Sequence, residues 1–133
     1  MELSIGLTHE ISELVTDGLT ASVAKSGGLP VYATPFMIAL MEQTAAALVQ
    51  PYLPEGITTV GTMVNIQHLA ATAVGAEVKA IAKLTYFDSR KFCFEIEAYD
   101  NAGLIGKGTH ERFSVKIDKF MQKAEERKAV TNA

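Results

Sequence analysis

The sequence predicts an α+β fold, an antiparallel sheet wrapped around one long central helix. Three observations predict it. One strongly apolar helical stretch, residues 35–49, stands alone in the chain. One extended segment precedes it, and four strand-like segments with short turns follow it. Nothing else in the chain can cover the helix, so the sheet must wrap it.

The elements follow in order. Residues 3–15 read as an extended, strand-prone arm. Residues 16–30 are a polar connection carrying Gly27, Gly28 and Pro30, a loop with a short helical piece, and loops of this length often cover a site. Thr34 is placed to cap the helix and Pro35 suits its first position. The helix then runs Phe36, Met37, Ile38, Ala39, Leu40, Met41, Glu42 and on through Val49, until Pro51 and Pro54-Glu55-Gly56 close it. Because it is apolar nearly all round, burial on most sides is expected. Strands are expected at 58–69, 76–87, 91–99 and 104–117, separated by turns at 73–75, 88–90 and 100–103. Short links favour antiparallel neighbours. Residues 118–133 are a charged tail, helical or frayed. Residues 1–133 form a single domain on this reading, and the apolar character of both strand faces suggests a partner subunit on the sheet.

Composition narrows the function. With 133 residues the chain can bury a core without metal or disulfide staples. Net charge is −3, and no dense Lys/Arg stripe argues for nucleic acid. The single cysteine, Cys93, excludes an intrachain disulfide and a cysteine-cluster metal site. The most apolar stretch is too short to span a bilayer and carries Glu42. A cytoplasmic protein with no membrane and no nucleic-acid partner is expected.

Glu42 is the strongest chemical signal. Within residues 35–49 the polar side chains are Glu42, Gln43 and Thr44, and burying a carboxylate without partners costs several kcal/mol. A catalytic carboxylate explains it; the bland alternative is a side chain at the helix margin. Period-two alternation puts Val60, Thr62, Val64, Ile66 and His68 on one face of the first long strand, which is expected to face the helix. His68 then reads either as a satisfied structural histidine or as a proton-transfer group. Thr34 reads first as a cap, although a hydroxyl and free N–H groups at a helix N-terminus can also orient a substrate or hold an oxyanion. Gly61 inside a strand suggests close approach by another group. His110 and Arg112 share a face with Gly108 and Ser114, which reads as an outward polar face. Arg90-Lys91 reads as a solvated pair in a turn. No phosphate loop, zinc spacing or nucleophile elbow is present.

Several of these segments resemble one family. Residues 31–42, Val31 through Glu42, are similar to the helix entry of the fluoroacetyl-CoA thioesterase-like group of hotdog-fold proteins. Pro51-Tyr52-Leu53, Val60-Gly61-Thr62, His68-Leu69-Ala70-Ala71-Thr72 and the run from Gly106 to Arg112 continue the match. The resemblance covers residues 31–123. It implies a hotdog fold assembled as a homodimer, or a higher assembly, with sites at the subunit interface. It also implies hydrolysis of an acyl-CoA thioester with no metal and no cofactor beyond the CoA of the substrate. The family's catalytic residues fall on Thr34, Glu42 and His68, its acyl-pocket glycine on Gly61, and its acyl-contacting arginine on Arg112. The family's lid phenylalanines have no counterpart: residues 25–32 hold Gly28, Leu29 and Pro30, so a short or small acyl group is expected rather than fluoroacetyl selectivity. The competing readings are a non-catalytic acyl-CoA-binding hotdog module and a hotdog dehydratase.

Thr34 and Glu42 are eight residues apart, about 12 Å along a straight helix. They cannot touch, so the expectation is that Thr34 of one chain approaches His68 or Glu42 of another.

Overall fold

The computed structural model describes residues 2–130, and the last three positions of the expected tail lie outside them. The chain order is β1 (Thr8–Leu14), α1 (Ala21–Ala24), α2 (Thr34–Val49), β2 (Ile57–His68), β3 (Glu77–Phe87), β4 (Lys91–Asp100), β5 (Gly103–Lys116) and α3 (Ile117–Lys128). The five strands form one sheet in the order β1-β3-β4-β5-β2, every neighbour antiparallel.

Turn chemistry sets the β3-β4-β5 meander. Asp88 accepts the N–H groups of Arg90 and Lys91 on Oδ1, each at 2.8 Å, and Asp100 accepts that of Ala102 at 2.8 Å. Such side-chain mimics of a backbone turn close a tight link between strands. Gly103 completes the second link at φ +134°, a conformation that side chains resist.

Alternation then builds the core. Val78, Ala80, Ala82 and Leu84 of β3 and Phe92, Phe94, Ile96 and Ala98 of β4 are buried, each at most 4% exposed. They meet Met37, Leu40, Met41, Ala45, Leu48 and Val49 of α2. Alanines on the sheet let the helix lie close to it. Thr44, buried mid-helix, returns its hydroxyl to the Leu40 carbonyl at 2.7 Å, so no polar group is stranded.

α2 is less enclosed than its composition implies. Pro35, Ala39 and Gln43 form an exposed stripe, with Ile38, Glu42 and Ala46 half-buried beside it. One sheet can cover only one side of a helix. Apart from Gln43 the uncovered stripe is small and apolar, which is why composition reads as all-round burial.

β2 also departs from the expected alternation. Thr62 is an extra residue between Gly61, paired with Arg112, and Met63, paired with Glu111. This bulge shifts the phase by one, and a one-residue slip moves every side chain to the other face. Thr59, Gly61, Val64, Ile66 and His68 therefore share the inner face, whereas Val60 and Thr62 do not. The strand forms one edge of the sheet, bonded only to β5.

Candidate active site

Two clusters lie on the inner face of the sheet, one at the start of α2 and one beside its middle. The first is built at the helix start. The loop ahead of it is pinned by Tyr32, 1% exposed, whose hydroxyl donates to Glu13 Oε2 at 2.5 Å. Burial and the Glu13 carboxylate both push the phenol pKa upward, so Tyr32 remains a donor. Backbone bonds from Tyr32 N–H to the Thr72 carbonyl and from Ala33 N–H to the Leu19 carbonyl, both 2.9 Å, fix the chain on either side.

Thr34 does not cap the helix. Ala33 holds the cap position, and Thr34 and Pro35 are the first two helical residues. Its hydroxyl is free for other work and lies 2.7 Å from His68 Nδ1. Only part of the expected helix-terminal anion site survives, because Pro35 has no N–H and Phe36 N–H is bonded to the Ala33 carbonyl at 3.1 Å. The Thr34 N–H makes no hydrogen bond among the described residues.

His68 closes β2, and the chain turns beyond it as Leu69 N–H bonds the Ile105 carbonyl at 2.7 Å. Desolvation lowers the His68 pKa, opposed by the Ala70 backbone, so the ring is neutral at pH 7. Its Nε2 is buried and makes no hydrogen bond among the described residues. Thr34 and His68 open into a shallow cavity of about 300 Å³ that Val31, Tyr32, Leu69 and Ala71 also line.

The second cluster surrounds Glu42. Its side chain is 40% exposed in the single chain, at the margin of the covered face. Its Oε2 lies 3.5 Å from Arg112 Nη1 and 3.9 Å from His110 Nε2. A Cβ placed on Gly61 would fall 2.5 Å from that oxygen, so the glycine exists to admit the carboxylate. The close approach expected at Gly61 is thus made by Glu42.

His110 and Arg112 do not form an outward polar face. They lie on the inner face, 1% and 8% exposed. Each nitrogen of the guanidinium is directed. Nε donates to Thr59 Oγ1 at 2.8 Å, Nη2 to the Thr59 carbonyl at 3.0 Å, and Nη1 contacts His110 Nε2 at 3.2 Å. His110 Nδ1 is 2.7 Å from the Met63 carbonyl. A carbonyl only accepts, so Nδ1 carries the proton and Nε2 is a lone pair that accepts from Arg112. The downward pKa shift of His110, caused by burial and secondarily by Arg112, agrees with a neutral ring. His110 is therefore no ion-pair partner of Glu42; it orients the arginine that is. The bulge at Thr62 is what turns the Met63 carbonyl toward the ring. Alternation does place His110 beside Arg112, but only the strand's inner orientation gives it a role.

Thr34 meets His68 within its own chain, which corrects the expectation that this contact crosses between subunits. Glu42 stays with Gly61, Arg112 and His110, two helical turns from Thr34. The five expected site residues thus divide into a Thr34–His68 pair and a Glu42–Gly61–Arg112 group.

A single curled sheet on one central helix, with these groups on its concave face, places the molecule among the hotdog-fold thioesterases, which are thioester hydrolases. Comparison with known proteins narrows the class. The chain belongs to the family described as FlK: Fluoroacetyl-CoA-specific thioesterase, whose profile matches residues 15–118. It is 36% identical over 97 residues to the fluoroacetyl-CoA thioesterase of Streptantibioticus cattleyicolor, covering 73% of this chain and 70% of that one. The crystal structure of a point mutant of the fluoroacetyl-CoA-specific thioesterase FlK superposes with a TM-score of 0.91 at 28% identity, over 96% of this chain and 98% of that one. A thioesterase superfamily member from Thermus thermophilus superposes at 0.85 and 28% identity, over 95% and 96% of the two chains.

Proposed function

We propose that the protein hydrolyses a short or small acyl-CoA thioester to the free acid and CoA, in a site that two copies of the chain complete together. The observation that carries this reading is the division of the site. Glu42 with its arginine and Thr34 with its histidine face the same side of the sheet, yet sit about 12 Å apart along one helix. Antiparallel pairing of β2 with β2 of a second copy, about a two-fold axis near Val64 and Asn65, would lay His68 of one chain beside Gly61 and Glu42 of the other. β2 offers 12 residues of edge, and long edge strands are normally covered or paired. Val64 is 46% exposed on the inner face there, which a second copy would cover. A homodimer, cytoplasmic and working without a metal or added cofactor, is the form of the enzyme we infer.

In this site Glu42 activates a water, or attacks the thioester carbonyl itself, while Arg112 holds the carboxylate and meets the acyl end. Oxygen adds to the carbonyl carbon, the carbon–sulfur bond breaks, and neutral His68 takes up the proton that the water releases and passes it to the departing thiolate. Thr34 positions that imidazole through Nδ1, and its N–H is a donor for the oxyanion. Gly28, Leu29 and Pro30 ahead of Thr34 support a general small-acyl preference over fluoroacetyl selectivity.

Thiol release from acyl-CoAs of graded chain length tests the reading. Release is expected for the shortest acyl groups and to be lost in Glu42→Ala. Undiminished release by Glu42→Ala would remove the assigned role, and no release from any thioester would favour a non-catalytic binding module.

A further inference from the structure

Arg112 Nη1 stands between two acceptors, and one of them is the reacting carboxylate. His110 Nε2 lies 3.2 Å from it and Glu42 Oε2 3.5 Å, with the two acceptors 3.9 Å apart. The other side of the guanidinium is committed to Thr59, whose hydroxyl and carbonyl accept from Nε and Nη2. Nη1 is therefore the nitrogen by which the arginine reaches Glu42, and His110 shares it. The sharing has a chemical consequence. A carboxylate that accepts a close bond from a guanidinium, about 2.7–2.9 Å, is stabilised as the anion and becomes a poorer base and nucleophile. Here the separation is 3.5 Å, and the imidazole lone pair takes an Nη1 hydrogen that would otherwise turn to the carboxylate. Without that lone pair a charged donor, in a side chain that is buried, is left unsatisfied. Glu42 Oε2 is the acceptor at hand, and the cost of a buried unpaired charge drives the two together.

The ring is fixed by its surroundings. Phe94 of β4 stacks on it, the centroids 6.0 Å apart and the planes inclined by 29°. Gly61 of β2 leaves room for its Cε1, which a Cβ at that position would approach to 3.1 Å. The Met63 carbonyl, 2.7 Å from Nδ1, sets the tautomer that leaves Nε2 unprotonated. The two nitrogens thus do different things. Nδ1 satisfies a backbone carbonyl beside the bulge, a structural task. Nε2 presents a lone pair to a cation, which packing of the core does not require.

We propose that His110 is a positioning residue for thioester hydrolysis, its Nε2 lone pair limiting the grip of Arg112 on Glu42 so that the carboxylate stays free to react. The assignment rests on the acyl-CoA reading above and adds the residue that sets how tightly the arginine holds the reacting group.

Two substitutions separate the nitrogens. Glutamine puts its amide near the position of Nε2 and keeps an acceptor for Arg112. Asparagine puts its amide near Nδ1 and keeps only the donor to Met63. The assay is thiol release from acetyl-CoA, with kcat taken per folded molecule and a melting temperature for each variant. His110→Asn is expected to lose about tenfold or more in kcat with KM changed by no more than about twofold, and His110→Gln to recover most of that loss. A merely structural ring predicts instead that activity follows melting temperature. Because His110 acts through the arginine, the loss caused by His110→Asn should shrink to about twofold or less when Arg112→Met is already present. Wild-type kcat in His110→Asn, no advantage of His110→Gln over His110→Asn, or an undiminished loss beside Arg112→Met overturns the proposal. The imidazole tautomer, read by 15N NMR at neutral pH, is independent of turnover. A proton on Nε2 overturns the proposal even in an active enzyme, whereas a wild type inert on every thioester overturns the hydrolase reading beneath it.

Discussion

Gly61→Ala separates catalysis from stability more cleanly than any other single change. The glycine has no backbone reason to exist, since its φ is not among the positive ones. Its reason is steric. The new Cβ would lie 2.5 Å from Glu42 Oε2, 3.1 Å from His110 Cε1 and 3.4 Å from Arg112 Nη1. Ordinary contact requires the carboxylate to retreat by roughly 1 Å, the distance between that overlap and van der Waals separation. Glu42 is a long, partly exposed side chain, so it can retreat without unfolding anything. Alanine in place of strand glycine recovers about 0.5–1 kcal/mol of backbone entropy, which offsets the small shift asked of His110. Misplacing a reacting group by about 1 Å costs on the order of 100-fold in rate, or about 2.7 kcal/mol of transition-state stabilisation. The variant should therefore melt within a few degrees of the wild type and lose about two orders of magnitude in kcat/KM for acetyl-CoA, measured by thiol release. Wild-type kcat/KM in a folded Gly61→Ala protein would refute the placement of Glu42 against this strand.

Other perturbations probe the supports of the site. Thr59→Val leaves the Arg112 Nε donor buried without its acceptor and should cost about 1–3 kcal/mol in urea denaturation, with a rise in KM as the arginine loosens. Because burial lowers the His68 pKa, the neutral ring persists below the ordinary imidazole value. The acid limb of kcat/KM should then inflect below pH 6.5, and an inflection above it would contradict a desolvated His68. Stability carries a related signature. His110 has a lowered folded pKa, so the unfolded chain binds more protons as pH falls below about 6.5, and stability should decline there with decreasing pH. His110→Gln should flatten that decline, measured as melting temperature against pH.

Much of the architecture was legible because it follows from local rules. The bounds of the helix and of the four later strands lie within one or two residues of those that proline, glycine and alternation predict. The site was less legible where a single residue changes the geometry. Thr34 carries every mark of a helix cap, yet the cap is Ala33, and the freed hydroxyl reaches a histidine 34 residues away. The bulge at Thr62 has no local signature, and it reverses which residues in the first half of β2 face the helix. His110 and Arg112 looked solvated because alternation identifies residues that share a face without saying which face is inner. Glu42 was visible as a charge in an apolar helix, but its partners come from strands far along the chain.

The central claim is that Glu42 of one chain works with Thr34 and His68 of another. Coexpression of Glu42→Ala and His68→Ala chains tests it most directly. A hybrid dimer would contain one site with both substitutions and one with neither. With random pairing about half the dimers are hybrids, so the mixture should recover about a quarter of wild-type activity although each variant alone is inactive. A mixture as inactive as its components, with hybrid dimers demonstrated, would contradict the account.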